Sequence, residues 1–364
     1  MAVRCTILLC GDVMTGRGVD QILESPGDPR LWESMVDDAR DYVRLAEIAH
    51  GPIHRPVPPS WIWGDALAEF DRVAPDARVI NLETSITGQG SPDLAKPVLY
   101  RMNPANIACL TAARPDVCVS ANNHILDFGR DGLADTLAAL RDARLPNVGA
   151  GPNEAQAWQP AMTALPAGQL MVFAAGTPSS GVPSAWAARD SLSGVAYLPD
   201  LSDAAAESLI DRIERVRRPG AIVVVSIHWG SNWGYDVPRE QVRFAHRLVD
   251  AGVDLVHGHS SHHPRRFEVY RDRLILYGCG DFVDDYEGIG GYEGFRDDLR
   301  PAYFASLDAE GRLESLRIVV YRSRRLRLER AAPADIAEMA RTFADIGSPV
   351  RMHTDGSLTV ARAS

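Results

Sequence analysis

The sequence predicts an α/β protein in which buried strands alternate with amphipathic helices. Short β-rich runs recur and end in Gly or polar residues: CTILLCGD, ARVINLE, DVCVSANN, QLMVFAAG, AIVVVSIHWG, DLVHGH and RLILYGCGD. Helical patterns such as DGLADTLAALRDA and REQVRFAHRLVDAG lie between several of them. This repetition of strand, polar loop and helix indicates sheets that are covered on their faces. The polar groups that follow the strands are expected at one sheet edge, where α/β proteins bind ligands.

Composition and charge narrow the class of protein. The 364 residues are 46% hydrophobic and 24% charged, which is typical of a globular chain with a large core. The formal net charge of −10 provides no basic field for a nucleic-acid backbone, so we expect no nucleic-acid partner. The basic run YRSRRLRLER at 321–330 is interpreted as the solvated face of a strand.

Cysteine usage and the apolar runs favour a cytoplasmic protein without a membrane partner. The five cysteines are odd in number and form no C-x-x-C pair, which fits a reducing compartment. The N-terminal run is too short and wrongly flanked for a signal peptide, and no run of about 18 apolar residues exists. No pattern in the sequence indicates an oligomeric state.

One domain over residues 1–364 is predicted, with two distinctive segments. Residues 24–63 are Pro-rich and aromatic and contain Trp32, Trp61 and Trp63, which favours an ordered lid-like insertion. Residues 300–364 predict a β-hairpin about a DAEG turn, then the helix PADIAEMARTFADIG and a short strand.

The candidate site residues follow the predicted strands. LVHGHSSHHPRR alone holds four of the ten histidines, a density that metal binding or proton transfer explains better than packing does. Carboxylates, carboxamides and imidazoles are ligands of divalent ions, and six such groups at six strand ends predict a metal centre. The residues are Asp12, Asn81, Glu83, Asn122, Asn123, His124, Asp127, His228, His259, His262 and Asp281.

The ordered motifs GDVM-x-G-R, NLE-x-x-x-T, ANNH-x-x-D-x-G, HWG, GH-x-x-H and YG-x-G-D-F extend over essentially the whole chain. In them the chain resembles the bacterial capsule-synthesis family of CapA type, in the calcineurin-like metallo-dependent phosphatase superfamily. The resemblance implies a four-layer α/β/β/α sandwich with a metal centre at the strand ends.

The resemblance also assigns metal ligands. Asp12 matches the first motif, but Met14 stands where the superfamily has a histidine, so one of the two metal positions lacks a ligand. The resemblance therefore implies one divalent ion held by Glu83, Asn123, His228 and His259, with Asp12 close by or ligating. The imidazoles favour Mn²⁺ or Zn²⁺, whereas the oxygen ligands would accept Ca²⁺ or Mg²⁺. His257 and His263 are interpreted as structural.

Five residues are candidates for acid–base catalysis: Asp12, His124, His228, His262 and Asp281. His124 could pair with Asp127, which alternatively caps the helix that begins near GRDGLADTL. Asp281 stands where the family usually has Asn, so it either adds a base or is a tolerated isostere facing solvent.

Four further residues are candidates for substrate binding. Arg17 and Arg101 could clamp a carboxylate or phosphate, although each could instead pair with a structural acid. Trp229 and Trp233 flank the His228 loop and could form aromatic walls, with Trp61 and Trp63 as neighbours, or could lie in the core.

A metal-dependent acid–base enzyme acting on a peptide is the function we expect first. The resemblance extends to cytoplasmic epimerases that invert a C-terminal residue of ribosomally made lasso-type precursor peptides. Epimerisation needs a base on one face of Cα and an acid on the other, which His–Asp groupings would supply. The alternatives are a phosphoesterase or other metallohydrolase, and an accessory protein of poly-gamma-glutamate capsule biosynthesis.

Overall fold

The computed structural model describes residues 5–166 and 168–361. Its strands are β1 (Cys5–Val13), β2 (Ala77–Leu82), β3 (Ser85–Ile86), β4 (Arg101–Met102), β5 (Val117–Val119), β6 (Asn147–Val148), β7 (Ala150–Gly151), β8 (Ala161–Leu165), β9 (Gly168–Gly176), β10 (Gly194–Val195), β11 (Ala221–His228), β12 (Leu255–His259), β13 (Phe267–Tyr270), β14 (Arg273–Leu276), β15 (Asp281–Val283), β16 (Leu299–Leu307), β17 (Leu313–Ser323), β18 (Leu328–Arg330), β19 (Arg351–Met352) and β20 (Ser357–Ala361). Its helices are α1 (Arg17–Asp20), α2 (Arg40–His50), α3 (Ala66–Val73), α4 (Ala108–Thr111), α5 (Gly129–Asp142), α6 (Glu154–Ala157), α7 (Asp203–Val216), α8 (Arg239–Asp250) and α9 (Pro333–Asp345).

Two large sheets organise the chain. The first runs β19-β20-β17-β16-β1-β2-β5-β6, with β15 also paired to β1 and β18 to β17. The second runs β13-β14-β12-β11-β9-β8. Strands β1, β2, β5, β6 and β15 pair in parallel, and so do β9, β11, β12 and β14. Parallel pairing brings the carboxyl ends of these strands to a common edge in each sheet, which is where the candidate site forms.

The hydrophobic clusters define four layers. Leu9 and Val79 of the first sheet meet Val172 and Val224 of the second in one buried cluster, so the sheets pack face to face. Successive side chains of a strand point to opposite faces of the sheet. Leu8 and Ile80 therefore lie on the outer face of the first sheet, where they pack against α2, α3 and α4. The outer face of the second sheet packs against α7 and α8 in the same way. The expected α/β/β/α sandwich is confirmed.

The segment 24–63 is anchored to the helical layer of the first sheet. Within it lie α2 and a short 3-10 turn, Trp61–Trp63. Trp63 is fully buried and its indole N–H donates to the carbonyl of Cys109, while that of Trp61 donates to the carbonyl of Arg325. Trp61 and Trp63 therefore pack in this layer rather than beside the His228 loop, which corrects the expected placement.

The C-terminal part extends the first sheet. Strands β16 and β17 form the expected hairpin, and α9 inserts Ile336, Met339 and Phe343 into the cluster between the sheets. No helix in the described part of the chain combines the length and apolar character needed to cross a membrane.

Candidate metal centre

The strand ends bring the candidate ligands together. Asp12 lies near the end of β1, Glu83 directly follows β2, and His228 and His259 end the paired strands β11 and β12. Asn123 lies in the turn after β5, and its side-chain oxygen is 3.0 Å from Nε2 of His228. The Glu83 carboxylate lies 3.6 Å from the same nitrogen. All five residues that the sequence predicted as ligands therefore meet at this edge.

Asp12, His228 and His259 form a compact, fully buried group whose ligand atoms lie within 4.8 Å of one another. Oδ2 of Asp12 is buried and has no hydrogen-bond partner among the described residues. Its other oxygen accepts a hydrogen bond from Asn81, which also donates to Glu83. A buried carboxylate with an unpartnered oxygen, grouped with two imidazoles, fits a divalent cation, because a buried charge is otherwise costly.

Electrostatics also favour a cation at this group. Burial and the neighbouring Asp281 raise the pKa of Asp12 to about 7, and burial with Asp12 raises the pKa of Glu83 well above its usual value. Burial lowers the pKa values of His228 and His259, so both rings are neutral, as metal ligands must be. The donor set mixes oxygen and nitrogen and fits several divalent ions.

His257 and Ser226 form hydrogen bonds that orient the candidate ligand His259. The Ser226 hydroxyl lies 2.9 Å from Nε2 of His259 and 3.0 Å from Nδ1 of His257. His257 also bonds the carbonyl of Cys10 through its other nitrogen. These contacts direct Nδ1 of His259 towards Nδ1 of His228, at 2.7 Å, and Asp12, at 4.0 Å. His257 is thus structural, as expected, and so is His263, which bonds the carbonyl of Pro264.

A first histidine–carboxylate pair borders the centre. Nδ1 of His124 lies 2.6 Å from Asp127, whose carboxylate also accepts from the backbone N–H of Tyr100 and pairs with Lys96. Helix α5 begins at Gly129 without a side-chain cap, so Asp127 orients the imidazole and does not cap the helix. Nε2 of His124 is left facing Glu83, at 3.9 Å.

His262 and Asp281 form a second pair. Nδ1 of His262 lies 3.0 and 3.1 Å from the two oxygens of Asp281, and Nε2 lies 2.9 Å from the Asn232 amide nitrogen. Burial opposes the charged ring, but the charge and hydrogen bond of Asp281 together with the charges of Asp12 and Asp284 outweigh it and raise the pKa of His262. Asp281 opens β15 in the first sheet and is fully buried, with Arg300 3.5 Å away. A solvent-facing position for Asp281 is therefore wrong.

Met14 is buried, but a second possible ligand group exists nearby. Asp12, His262 and Asp281 have ligand atoms within 4.8 Å of one another. Asp281 thus supplies a carboxylate that could compensate for the histidine that Met14 replaces. In the structure Nδ1 of His262 bonds Asp281, so this group is arranged as a hydrogen-bonded pair.

Both arginines predicted as substrate clamps are held by acids. Arg17 is buried and bonds Asp285 through Nε and Nη2 and Glu33 through Nη1. Arg101 bonds the carbonyl of Asp28 and lies 3.5 Å from its carboxylate, outside the cavity described below. Both arginines therefore pair with structural acids, which was the alternative expected from the sequence. Neither guanidinium is held free to bind a substrate carboxylate or phosphate.

The two tryptophans of the His228 loop have different environments. Trp229 is 1% exposed, donates to the carbonyl of Tyr277 and packs beneath α8, so its prediction as an aromatic wall is wrong. Trp233 lies 5.2 Å from the ring of His262 and stacks on Tyr292 at 3.9 Å between ring centroids. It lines a cavity of about 240 Å³ together with His262, Arg17, Tyr42 and Tyr286.

Several contributors to the site carry no motif in the sequence. Lys96 lies in a polar loop, Asn232 in the turn after β11, and Arg300 inside a strand. The acidic pair Asp284–Asp285 directly follows the G-D-F strand, and this was the one local signal that could have indicated acids near the centre. The other contacts join segments far apart in the chain.

The chain is similar to proteins of a known family. The family model described as "Bacterial capsule synthesis protein PGA_cap" matches residues 6–286. A "Probable polyglutamine synthesis accessory protein" of Mycobacterium tuberculosis is 51% identical over 93% of this chain and 90% of its own length. The "PGA biosynthesis protein CapA" of Bacillus subtilis is 29% identical, over 84% of this chain and 68% of its own. A solved 5′-nucleotidase precursor of Thermus thermophilus is 14% identical with a TM-score of 0.48, covering 94% of this chain and 59% of that one.

Proposed function

This chain belongs to the bacterial capsule synthesis protein family, and from that premise we propose that it is a metal-dependent acid–base enzyme that acts on a peptide-like chain. The reaction we propose first is exchange and inversion of the proton on a backbone Cα, at or near the end of the peptide. The names of the relatives, which mention polyglutamine and capsule synthesis, support a substrate that is built from amino-acid units.

The observation that carries the proposal is the presence of two histidine–aspartate pairs at one metal-binding group. His124 and His262 each engage an aspartate through Nδ1. This fixes the tautomer and directs Nε2 of each ring away from its aspartate, with Nε2 of His262 hydrogen-bonded to Asn232. Nε2 of His124 lies 3.9 Å from Glu83, which is 3.6 Å from the ligand His228, and His262 shares a possible ligand group with Asp12.

Two imidazoles match the proton balance of an epimerisation. One ring takes the Cα proton into its Nε2 lone pair, and the other donates its proton to the opposite face of the resulting planar carbon. The substrate leaves with its configuration inverted, and exchange with water restores both rings. A bound divalent cation would supply Lewis-acid polarisation of the substrate's carbonyl or carboxylate oxygen.

The chain's own residues prepare the site for this exchange. Asp127 and Asp281 orient the rings, and Lys96 and Arg300 offset the charges of these carboxylates. The Asn232 amide donates to Nε2 of His262 when the ring is neutral, so Asn232 must yield that position when the ring accepts a proton.

Hydrolysis of a phosphate or other ester is the second candidate. The compact group of Asp12, His262 and Asp281 favours it, because a second cation there would complete a two-metal arrangement. The two candidates differ in what Nδ1 of His262 binds: a proton shared with Asp281, or a metal.

Metal content and isotope exchange, measured together on the full chain, test the proposal. We expect about one ion per chain by mass spectrometry, held by Asp12, His228 and His259 with the adjacent Glu83 and Asn123. We also expect deuterium uptake at one Cα when acetylated tetrapeptides that differ in their C-terminal residue are incubated in D₂O. His262→Asn should abolish the uptake, whereas His246→Gln, on the outer helix α8, should leave it unchanged.

Three other outcomes would contradict the proposal. Two ions per chain with turnover of p-nitrophenyl phosphate would establish the hydrolase. Metal binding without uptake or turnover would support an accessory protein that lacks this chemistry. Equal uptake by wild type and His262→Asn would remove the second pair from the mechanism.

A further inference from the structure

The cavity beside His262 has aromatic walls. Its volume is about 240 Å³, and its apolar lining is Tyr42, Val98, Trp233, Tyr286, Ile289 and Tyr292. Typical drug-sized ligand pockets occupy about 300–1,000 Å³, so this cavity suits one side chain and not a whole peptide. Because His262 itself lines the cavity, a side chain inside it would belong to the residue whose backbone lies at the His262–Asp281 pair.

The charges around the cavity do not favour a carboxylate. Arg17 and His262 are the basic residues in its lining; the carboxylates of Asp285 and Glu33 bind Arg17, and that of Asp281 binds His262. Asp297 adds a further acid to the lining. The basic groups of the lining are thus already paired with acids, and an entering carboxylate would meet repulsion from these carboxylates and from Asp297.

The aromatic contacts favour a flat, uncharged group. Tyr42 lies over the guanidinium of Arg17, with 3.9 Å between the ring centroid and Cζ, so one face of the cation is also covered. Trp233 and Tyr292 are stacked with an interplanar angle of 4°. The Trp233 ring also lies 5.2 Å from the ring of His262. A planar side chain could pack on this surface with little loss of conformational entropy.

We propose that this cavity selects the substrate residue by its side chain, accepting an uncharged flat or apolar group and rejecting glutamate. The inference rests on the proposed function for the position of the peptide backbone. It deepens that function by naming the residue class, which is not the one that the relatives' names suggest.

Binding to three matched peptides tests the cavity without requiring turnover. Acetyl-Ala-Phe-amide, acetyl-Ala-Gln-amide and acetyl-Ala-Glu-amide differ only in one side chain, and Gln matches the shape of Glu without its charge. Titration calorimetry of the full chain at pH 7 should show the Phe peptide binding about 10-fold more tightly than the Gln peptide, and the Gln peptide more tightly than the Glu peptide.

Variants locate the binding. Trp233→Ala and, in case that variant folds poorly, the exposed Tyr292→Ala should each weaken binding of the Phe peptide by about 5-fold or more. Trp158→Ala is the matched control, because Trp158 packs on Arg212 away from the cavity. Asp297→Asn should reduce the difference between the Gln and Glu peptides.

The outcomes separate this inference from the proposed chemistry. Glu binding as tightly as Gln, unchanged binding in both aromatic variants, or no binding of the Phe peptide up to about 10 mM would each overturn the cavity assignment. Selective binding of Phe without Cα deuterium uptake would uphold the cavity and contradict the epimerase. Uptake in the Glu peptide alone would uphold the epimerase and contradict the cavity.

Discussion

Asp12 and Asp281 are paired residues of the parallel strands β1 and β15, and both side chains are fully buried. Arg300 lies 3.5 Å from Asp281, whereas Oδ2 of Asp12 has no hydrogen-bond partner among the described residues. Two adjacent buried carboxylates repel each other, and a cation at Asp12, His228 and His259 would relieve that repulsion.

The thermal stability of the protein is therefore expected to depend on a divalent cation. Dialysis against EDTA should lower Tm, and adding back Mn²⁺, Zn²⁺, Ca²⁺ or Mg²⁺ should identify the ion that restores it. At 100 times its Kd a ligand stabilises by about 2.7 kcal/mol, which corresponds to a shift of several degrees. Asp12→Ala should remove the shift, and Asp131→Ala, on the exposed first turn of α5, should retain it. A Tm that is the same with EDTA and with every ion would contradict the metal centre.

Asp127→Asn tests the first histidine–aspartate pair. The amide oxygen can still accept from the backbone of Tyr100, so the fold should persist, but the charge that orients His124 and pairs with Lys96 is lost. Cα deuterium uptake should slow by about 10²-fold or more, as expected for impaired acid–base catalysis. Asp131→Asn serves as the control. Unchanged uptake in Asp127→Asn would show that His124 is not a proton-transfer group.

Much of this site could be predicted from the sequence because parallel strands concentrate their carboxyl ends. Asp12, Glu83, Asn123, His228 and His259 needed only the correct identification of strands. Asp281 was expected at the end of the strand RLILYGCGD, but that strand ends at Leu276. The chain then crosses to the first sheet and places Asp281 beside Asp12, a pairing that no local periodicity encodes.

The side chains assigned to substrate binding were harder to predict because their environments depend on distant segments. Arg17 and Asp285 are 268 positions apart, so the ion pair that occupies Arg17 leaves no local signal. Trp229 and Trp233 lie four residues apart in one loop, yet one is buried beneath α8 and the other lines the cavity. The sequence predicted that aromatic residues lie near the metal centre, but it did not predict the direction in which each side chain points.

Arg17→Met should destabilise the protein instead of only weakening substrate binding. It leaves the buried carboxylate of Asp285 without its partner, and breaking a buried ion pair typically costs about 3–5 kcal/mol. Arg17→Met combined with Asp285→Asn should recover part of this loss. The urea midpoints of the wild type, both single variants and the double variant provide the measurement. A stable Arg17→Met protein would restore the interpretation of Arg17 as a substrate clamp.

Alkaline pH should destabilise the folded protein through its buried thiols. Burial raises the pKa of Cys5 to about 11 and that of Cys118 to about 12, from an ordinary value of 9.0. Between pH 9 and the raised pKa of each thiol, the unfolded chain loses a thiol proton that the folded chain retains. The free energy of unfolding therefore falls as pH rises above 9. The urea midpoint should therefore decrease from pH 9 to pH 11, and less so in Cys118→Ala. Iodoacetamide should label neither thiol at pH 8 until urea is added; rapid labelling of the native protein would contradict this prediction.

Trp229→Ala and Trp233→Ala should have opposite consequences although the two residues share a loop. Trp229 stacks on Tyr277 and contacts Phe244 within the core, so its truncation should cost about 3–5 kcal/mol of unfolding free energy. Trp233 is only partly buried and packs on Tyr292, so its truncation should change the urea midpoint little. Near-equal loss of stability in the two variants would show that Trp233 is a core residue, and the cavity would then lack its aromatic wall.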